Sequence, residues 1–141
     1  MNFWRFAPWL SRLVILAVAA LFAMIGLKFA LDPQHPAASS GITLEPGPGY
    51  TTMRAGFGGF PLSFAAILAF CLFSSRRHFA ALSSIVTVSA VVLVVRLYGV
   101  EQDGTLSQNV RLLIPEVAIL VVSLLCVLME TRRRGLDAKA G

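Results

Sequence analysis

The chain has little charge. Only 13% of its 141 residues are Asp, Glu, Lys or Arg, whereas 57% are apolar. A soluble domain carries about 25% charged residues, so this composition cannot cover a water-facing surface, and lipid is the expected solvent. Cysteine is equally scarce. Cys71 and Cys126 both sit inside apolar runs and form no Cys-x-x-Cys pair, which excludes the redox and zinc motifs and the quinone-linked thiol oxidoreductases. They read as small apolar side chains. The two histidines, His35 and His78, fall in connections on opposite sides of the expected membrane, so a b-type haem held by paired intramembrane histidines is excluded. There is no phosphate-binding loop, zinc motif or nucleophile elbow. No enzymatic activity, cofactor or metal is therefore expected. The net charge of +5 does not point to nucleic acid either, because the basic residues flank apolar runs and form no solvent-facing stripe.

What is present is four apolar runs, at about 13–31, 53–73, 79–97 and 110–129. Each has roughly the 20 residues that cross a ~30 Å hydrocarbon core at 1.5 Å per residue. They are continuous and do not alternate, so a β-barrel is excluded. The first is too long for a signal-peptide core and reads as a retained helix. The expected fold is thus all-α: a single integral membrane domain, 1–141, built as a bundle of four transmembrane helices. The stretch 32–52 is dense in Pro and Gly and is expected to be an irregular outer loop. The segment 130–141 reads as a polar cytoplasmic tail.

Lys and Arg fix the expected orientation. Arg5, Arg12, Arg76, Arg77, Arg132, Arg133, Arg134 and Lys139 lie on one side, and only Lys28, Arg54, Arg96 and Arg111 on the other. The positive-inside rule then places both termini in the cytoplasm. Trp4 and Trp9 suit an inner interfacial belt, and Tyr50 and Tyr98 an outer one.

The outer side holds the candidate site. Each span contributes one cation near the same depth, and Glu116 lies about 10 Å beneath the outer boundary of the hydrocarbon. An ionised carboxylate there costs ~2.5 kcal/mol or more unless it is protonated, wet or paired. Arg111, five residues away, is turned about 140° from it, so the expected partner is Lys28 or Arg96 from another helix. Lys28, Arg54, Arg96, Arg111 and Glu116 are accordingly the candidate ligand- or partner-binding residues. Small residues mark where helices approach: Ala19, Ala23, Gly26 and Ala30 in the first span, Gly56 and Gly59 in the second. Arg54 and Gly58 share a face, so close approach there brings Arg54 against a neighbour. Pro61 and Pro115 are placed to loosen backbone near the charges.

Arg54 with Gly56-x-Gly58-Gly59 opening span two, Arg96 closing span three and Pro115-Glu116 early in span four form a combination. It resembles a family of small bacterial integral membrane proteins described only as a domain of unknown function, with four spans and nearly this length. The resemblance covers about Leu13 to Met129 and implies a bacterial cytoplasmic (inner) membrane, with no activity attached. The Pro-Gly stretch before Tyr50 is longer than that pattern.

Two functions remain. One is a structural or accessory protein that binds anionic lipid headgroups or a larger membrane complex, or a second copy of itself, through its outer-leaflet half. The other is a carrier or receptor for a small anionic or lipid-like ligand, held between helices near Glu116 and the arginines, with a proton-coupled version. The small multidrug-exporter design is excluded, since its membrane glutamate sits in the first span and its dual-topology members lack this charge bias.

Overall fold

The computed structural model describes residues 7–140. Among them there are helices and turns and no strand. The elements are α1 (Ala7–Leu31), α2 (Gln34–Ser39), α3 (Pro48–Met53), a π-helical turn (Arg54–Gly59), α4 (Phe60–Leu72), a 3-10 turn (Ser75–Arg77), α5 (His78–Asp103) and α6 (Leu106–Ala140). Four helical stretches are long and apolar enough to cross a membrane: Pro8–Leu31, Pro48–Leu72, Ser75–Asp103 and Asn109–Gly135. Trp4 and Arg5 lie outside the described residues, as does the side chain of Lys139.

The helices outrun the apolar runs that announce them. The gap between the third and fourth apolar runs shrinks to Gly104 and Thr105, because α5 continues to Asp103 and ends on Gly104 at φ 65°. Glycine takes that left-handed conformation without a Cβ penalty. The polar tail is likewise helical, as α6 runs on to Ala140.

The stretch 32–52 is a correction. It contains α2 and the start of the helix that leads into α4. Its four prolines fall where a helix needs no N–H: Pro33 precedes α2, Pro36 lies in its first turn, Pro46 is in the turn before α3, and Pro48 opens α3. The Oδ1 of Asp32 accepts from the backbone N–H groups of Gln34 and His35 at 3.2 and 3.4 Å, which satisfies the donors left over at the start of α2.

The chain divides into two compact units. One is Leu16–Phe73; the other comprises the described residues before Leu16 and after Phe73. In Leu16–Phe73, α1 packs antiparallel to the helix formed by the π turn and α4. Phe22 meets Phe64 edge-on with ring centroids 5.0 Å apart, and Phe29 meets Phe57 at 5.3 Å. Between these pairs the backbones nearly touch. A Cβ on Gly26 would lie 2.8 Å from the Gly58 carbonyl oxygen and 2.9 Å from the Leu62 nitrogen; one on Gly58 would lie 3.0 Å from the Ala30 nitrogen. Glycine is what allows this approach. Gly56 and Gly59, expected at the contact, meet no neighbouring helix. The π turn ends just before Pro61, which has no N–H to offer the carbonyl of Phe57, and a wider turn accommodates that loss.

In the other unit α5 and α6 form an antiparallel pair. Buried residues on α5 are His78, Ala81, Leu82, Ile85 and Val100, with Arg96 half-buried; on α6 they are Ser123, Cys126 and Glu130, with Glu116 half-buried. Spacings of three and four keep each set on one face. Pro115 leaves α6 helical on both sides.

Candidate functional site

The short Gly104–Thr105 connection sets the last turns of α5 level with the first turns of α6. This brings Arg96 to Glu116. Arg96 Nε donates to both carboxylate oxygens, at 2.9 Å to Oε1 and 2.7 Å to Oε2, and Nη2 donates to Oε1 at 2.6 Å. One guanidinium thus covers both oxygens, and about a fifth of the Glu116 side chain (20%) and 27% of Arg96 remain exposed. Arg96 Nη1 also donates to Asn109 Oδ1 at 3.4 Å. Asn109 Nδ2 is itself tied back to the Thr105 carbonyl at 3.1 Å and hydroxyl at 3.0 Å. The chain of contacts runs from the α5–α6 connection to the deep carboxylate, and it fixes the plane of the guanidinium.

The expectation left the partner of Glu116 open between Lys28 and Arg96; the structure pairs it with Arg96. Arg111 is exposed and takes no part in that ion pair. Lys28 and Arg54 belong to Leu16–Phe73. There Arg54 Nε donates to the Ala30 carbonyl at 3.2 Å, one of the acceptors a helix leaves over at its C-terminus. Arg54 therefore meets the neighbouring helix beside Gly58, as their shared face implies. Lys28 is exposed and lines a pocket of about 370 Å³ with Leu31, Asp32, His35, Pro36 and Ser39. His35 is thus a site residue that the sequence reading had only as a loop residue. Tyr50 donates its hydroxyl to Gln34 Oε1 at 3.1 Å and ties the two ends of the 34–50 segment together.

A second polar cluster lies at the opposite end of α5 and α6, and the sequence reading missed it. Glu130 is 1% exposed. Arg133 reaches its carboxylate at 2.7 Å and Arg134 at 3.1 Å. Arg134 Nη2 also donates to the Arg76 carbonyl at 3.0 Å, and its guanidinium lies 5.1 Å from the centre of the Phe79 ring. Arg12 reaches the Ser75 hydroxyl at 3.5 Å and lies 5.7 Å from the Trp9 ring centre. The hydroxyls of Ser11 and Ser123 are buried with no hydrogen-bond partner among the described residues. The signal for Glu130 was present: it follows Glu116 and Ser123 at seven-residue steps, on the face that α6 buries.

Among the described residues no three His, Cys, Asp or Glu side chains come together as ligands for a metal ion. Comparison with protein-family models, with curated proteins and with solved structures finds no match. What the site does must therefore be argued from its own geometry.

Proposed function

We propose that this chain is a structural or accessory protein of a cytoplasmic membrane. In this reading it crosses the bilayer four times with both termini in the cytoplasm. The helix ends that bear Lys28 and Arg54 in one unit, and Arg96, Arg111 and Glu116 in the other, then face the outer leaflet, where they meet anionic lipid headgroups or a larger membrane complex. The charge asymmetry between helix ends supports the orientation, and the resemblance to small bacterial four-span proteins fits such a membrane.

The pairing of Arg96 with Glu116 carries the choice of function. A carrier needs charge that its ligand can claim, whereas here both carboxylate oxygens are already held by the one guanidinium. Arg54 is likewise engaged with a helix end. Charges spent on the protein's own helices stabilise an arrangement and leave little for a ligand between them. The pocket beside Lys28 and His35 offers a cation to a lipid phosphate or to an acidic partner.

Extraction in native-lipid particles with crosslinking and mass spectrometry tests this reading. A co-purifying membrane partner, or anionic lipid enriched over bulk and lost in Lys28→Ala, is the expected result. Recovery of the protein alone in lipid of bulk composition would remove the accessory reading. A small anion retained by the wild type and lost in Arg96→Ala would favour the carrier reading instead.

A further inference from the structure

We infer that the unit built on α5, α6 and the first turns of α1 binds an anionic phospholipid at the end where Arg76 and Arg134 meet. This site is separate from the Glu116 region. A pocket of about 360 Å³ there is lined by Leu10, Val122, Leu125, Leu128, Met129 and Arg132. Five of these are apolar and the sixth is a guanidinium at the far end. From Val122 to Arg132 the lining follows α6 for about 15 Å, the depth of one leaflet's hydrocarbon. An acyl chain fits the apolar part, and its phosphate then lies at Arg132.

Three observations choose the occupant. The groove is open along the helix: Leu10, Leu125 and Leu128 are exposed large apolar side chains, as a lipid-facing site requires. Trp9, next to Leu10, is 69% exposed and carries Arg12 over its ring, a pairing suited to the membrane–water boundary. The local charge is positive, with Arg12, Arg76, Arg77, Arg132, Arg133 and Arg134 on this end. The acid beside them, Glu130, is shielded and bound to Arg133 and Arg134, so it does not repel a phosphate at the mouth. Basic pockets beside transmembrane helices take anionic headgroups on this physical basis. The inference needs insertion of the chain into a bilayer, the one part of the proposed function on which it rests. It does not depend on a partner complex.

The test uses the whole chain in vesicles of phosphatidylcholine with and without phosphatidylglycerol of the same acyl length, followed by native mass spectrometry. Phosphatidylglycerol is expected to stay bound under conditions that strip phosphatidylcholine. Its retention should fall about tenfold in Arg132→Gln, the scale of one charge-assisted contact, and fall again in Leu125→Trp, which fills the groove. Glu101→Gln, an exposed position at the other end of α5, should not lower it. Quenching of Trp9 by brominated phosphatidylglycerol in a Trp4→Phe background gives an independent readout should Leu125→Trp fail to fold. Equal retention of both lipids, or equal loss in Arg132→Gln and Glu101→Gln, overturns the site. Failure of the wild type to insert into either vesicle overturns the membrane reading, and the site falls with it.

Discussion

Arg96 holds Glu116 from 20 residues away along the chain, one guanidinium against both carboxylate oxygens, with contacts of 2.6 to 2.9 Å. Pairs of this kind are costly to break from one side, because the survivor is left charged with little solvent, and cheap to replace from both sides. Arg96→Met is therefore expected to destabilise the α5–α6 pair by about 2 kcal/mol, below the value for a fully buried pair because both side chains keep some exposure. Arg96→Met combined with Glu116→Leu should recover most of that loss. Thermal unfolding of the purified protein in detergent measures both. A double variant no more stable than the single one would mean that the pair is not what Arg96 contributes.

The contact between α1 and the π turn makes a sharper distinction. Gly26→Ala places a methyl within 2.9 Å of two backbone atoms, which can only be relieved by moving a helix. A cost of about 1–3 kcal/mol is expected, the range for overpacking. Gly56→Ala, two residues from Gly58 but in open space, should be neutral or gain up to ~1 kcal/mol from helix propensity. Comparison of the two melting temperatures decides whether backbone contact or composition matters here.

Most of the architecture was legible because an apolar run of bilayer length has few other uses. The partner of Glu116 was half legible: rotation about the helix removed Arg111, but choosing Arg96 over Lys28 required knowing which helices pair. Glu130 was misread for a physical reason. A glutamate followed by three arginines looks like a solvated tail, and only the seven-residue step from Ser123 marks its side as buried. The helices within 32–52 were missed because proline density was counted without asking where in a helix each proline falls. Gly58 was legible through Arg54, whose face it shares, whereas that Gly56 and Gly59 lie off the contact required the packing of α1 against the π turn.

The Glu130 cluster should matter more to stability than its sequence suggests. Glu130→Ala removes the acceptor for Arg133 and Arg134 together and frees Arg134 from the geometry in which it meets the Arg76 carbonyl. A loss of about 1–3 kcal/mol is expected, the range for charge-assisted hydrogen bonds to a buried group. Faster hydrogen exchange in the Ser75–Arg77 turn should accompany it. Glu130→Gln, which keeps an acceptor oxygen, should lose less. Equal exchange rates in the turn for wild type and Glu130→Ala would show that the cluster does not hold it.

Orientation is open to direct chemistry. With Cys71→Ser and Cys126→Ser as background, Glu45→Cys puts a thiol on an exposed position between α2 and α3, and Ser75→Cys puts one in the turn before α5. If the positive-inside rule governs this chain, an impermeant maleimide added to intact cells should label the cysteine at 45. The cysteine at 75 should react only after permeabilisation. The argument is strong because the two sites lie at opposite ends of the helix Pro48–Leu72, so one bilayer crossing separates them. Labelling of both in intact cells would mean that this helix does not span. The reverse pattern would place the arginine-rich ends outside, and the assignment of Lys28, Arg54, Arg96, Arg111 and Glu116 to the outer leaflet would invert with it.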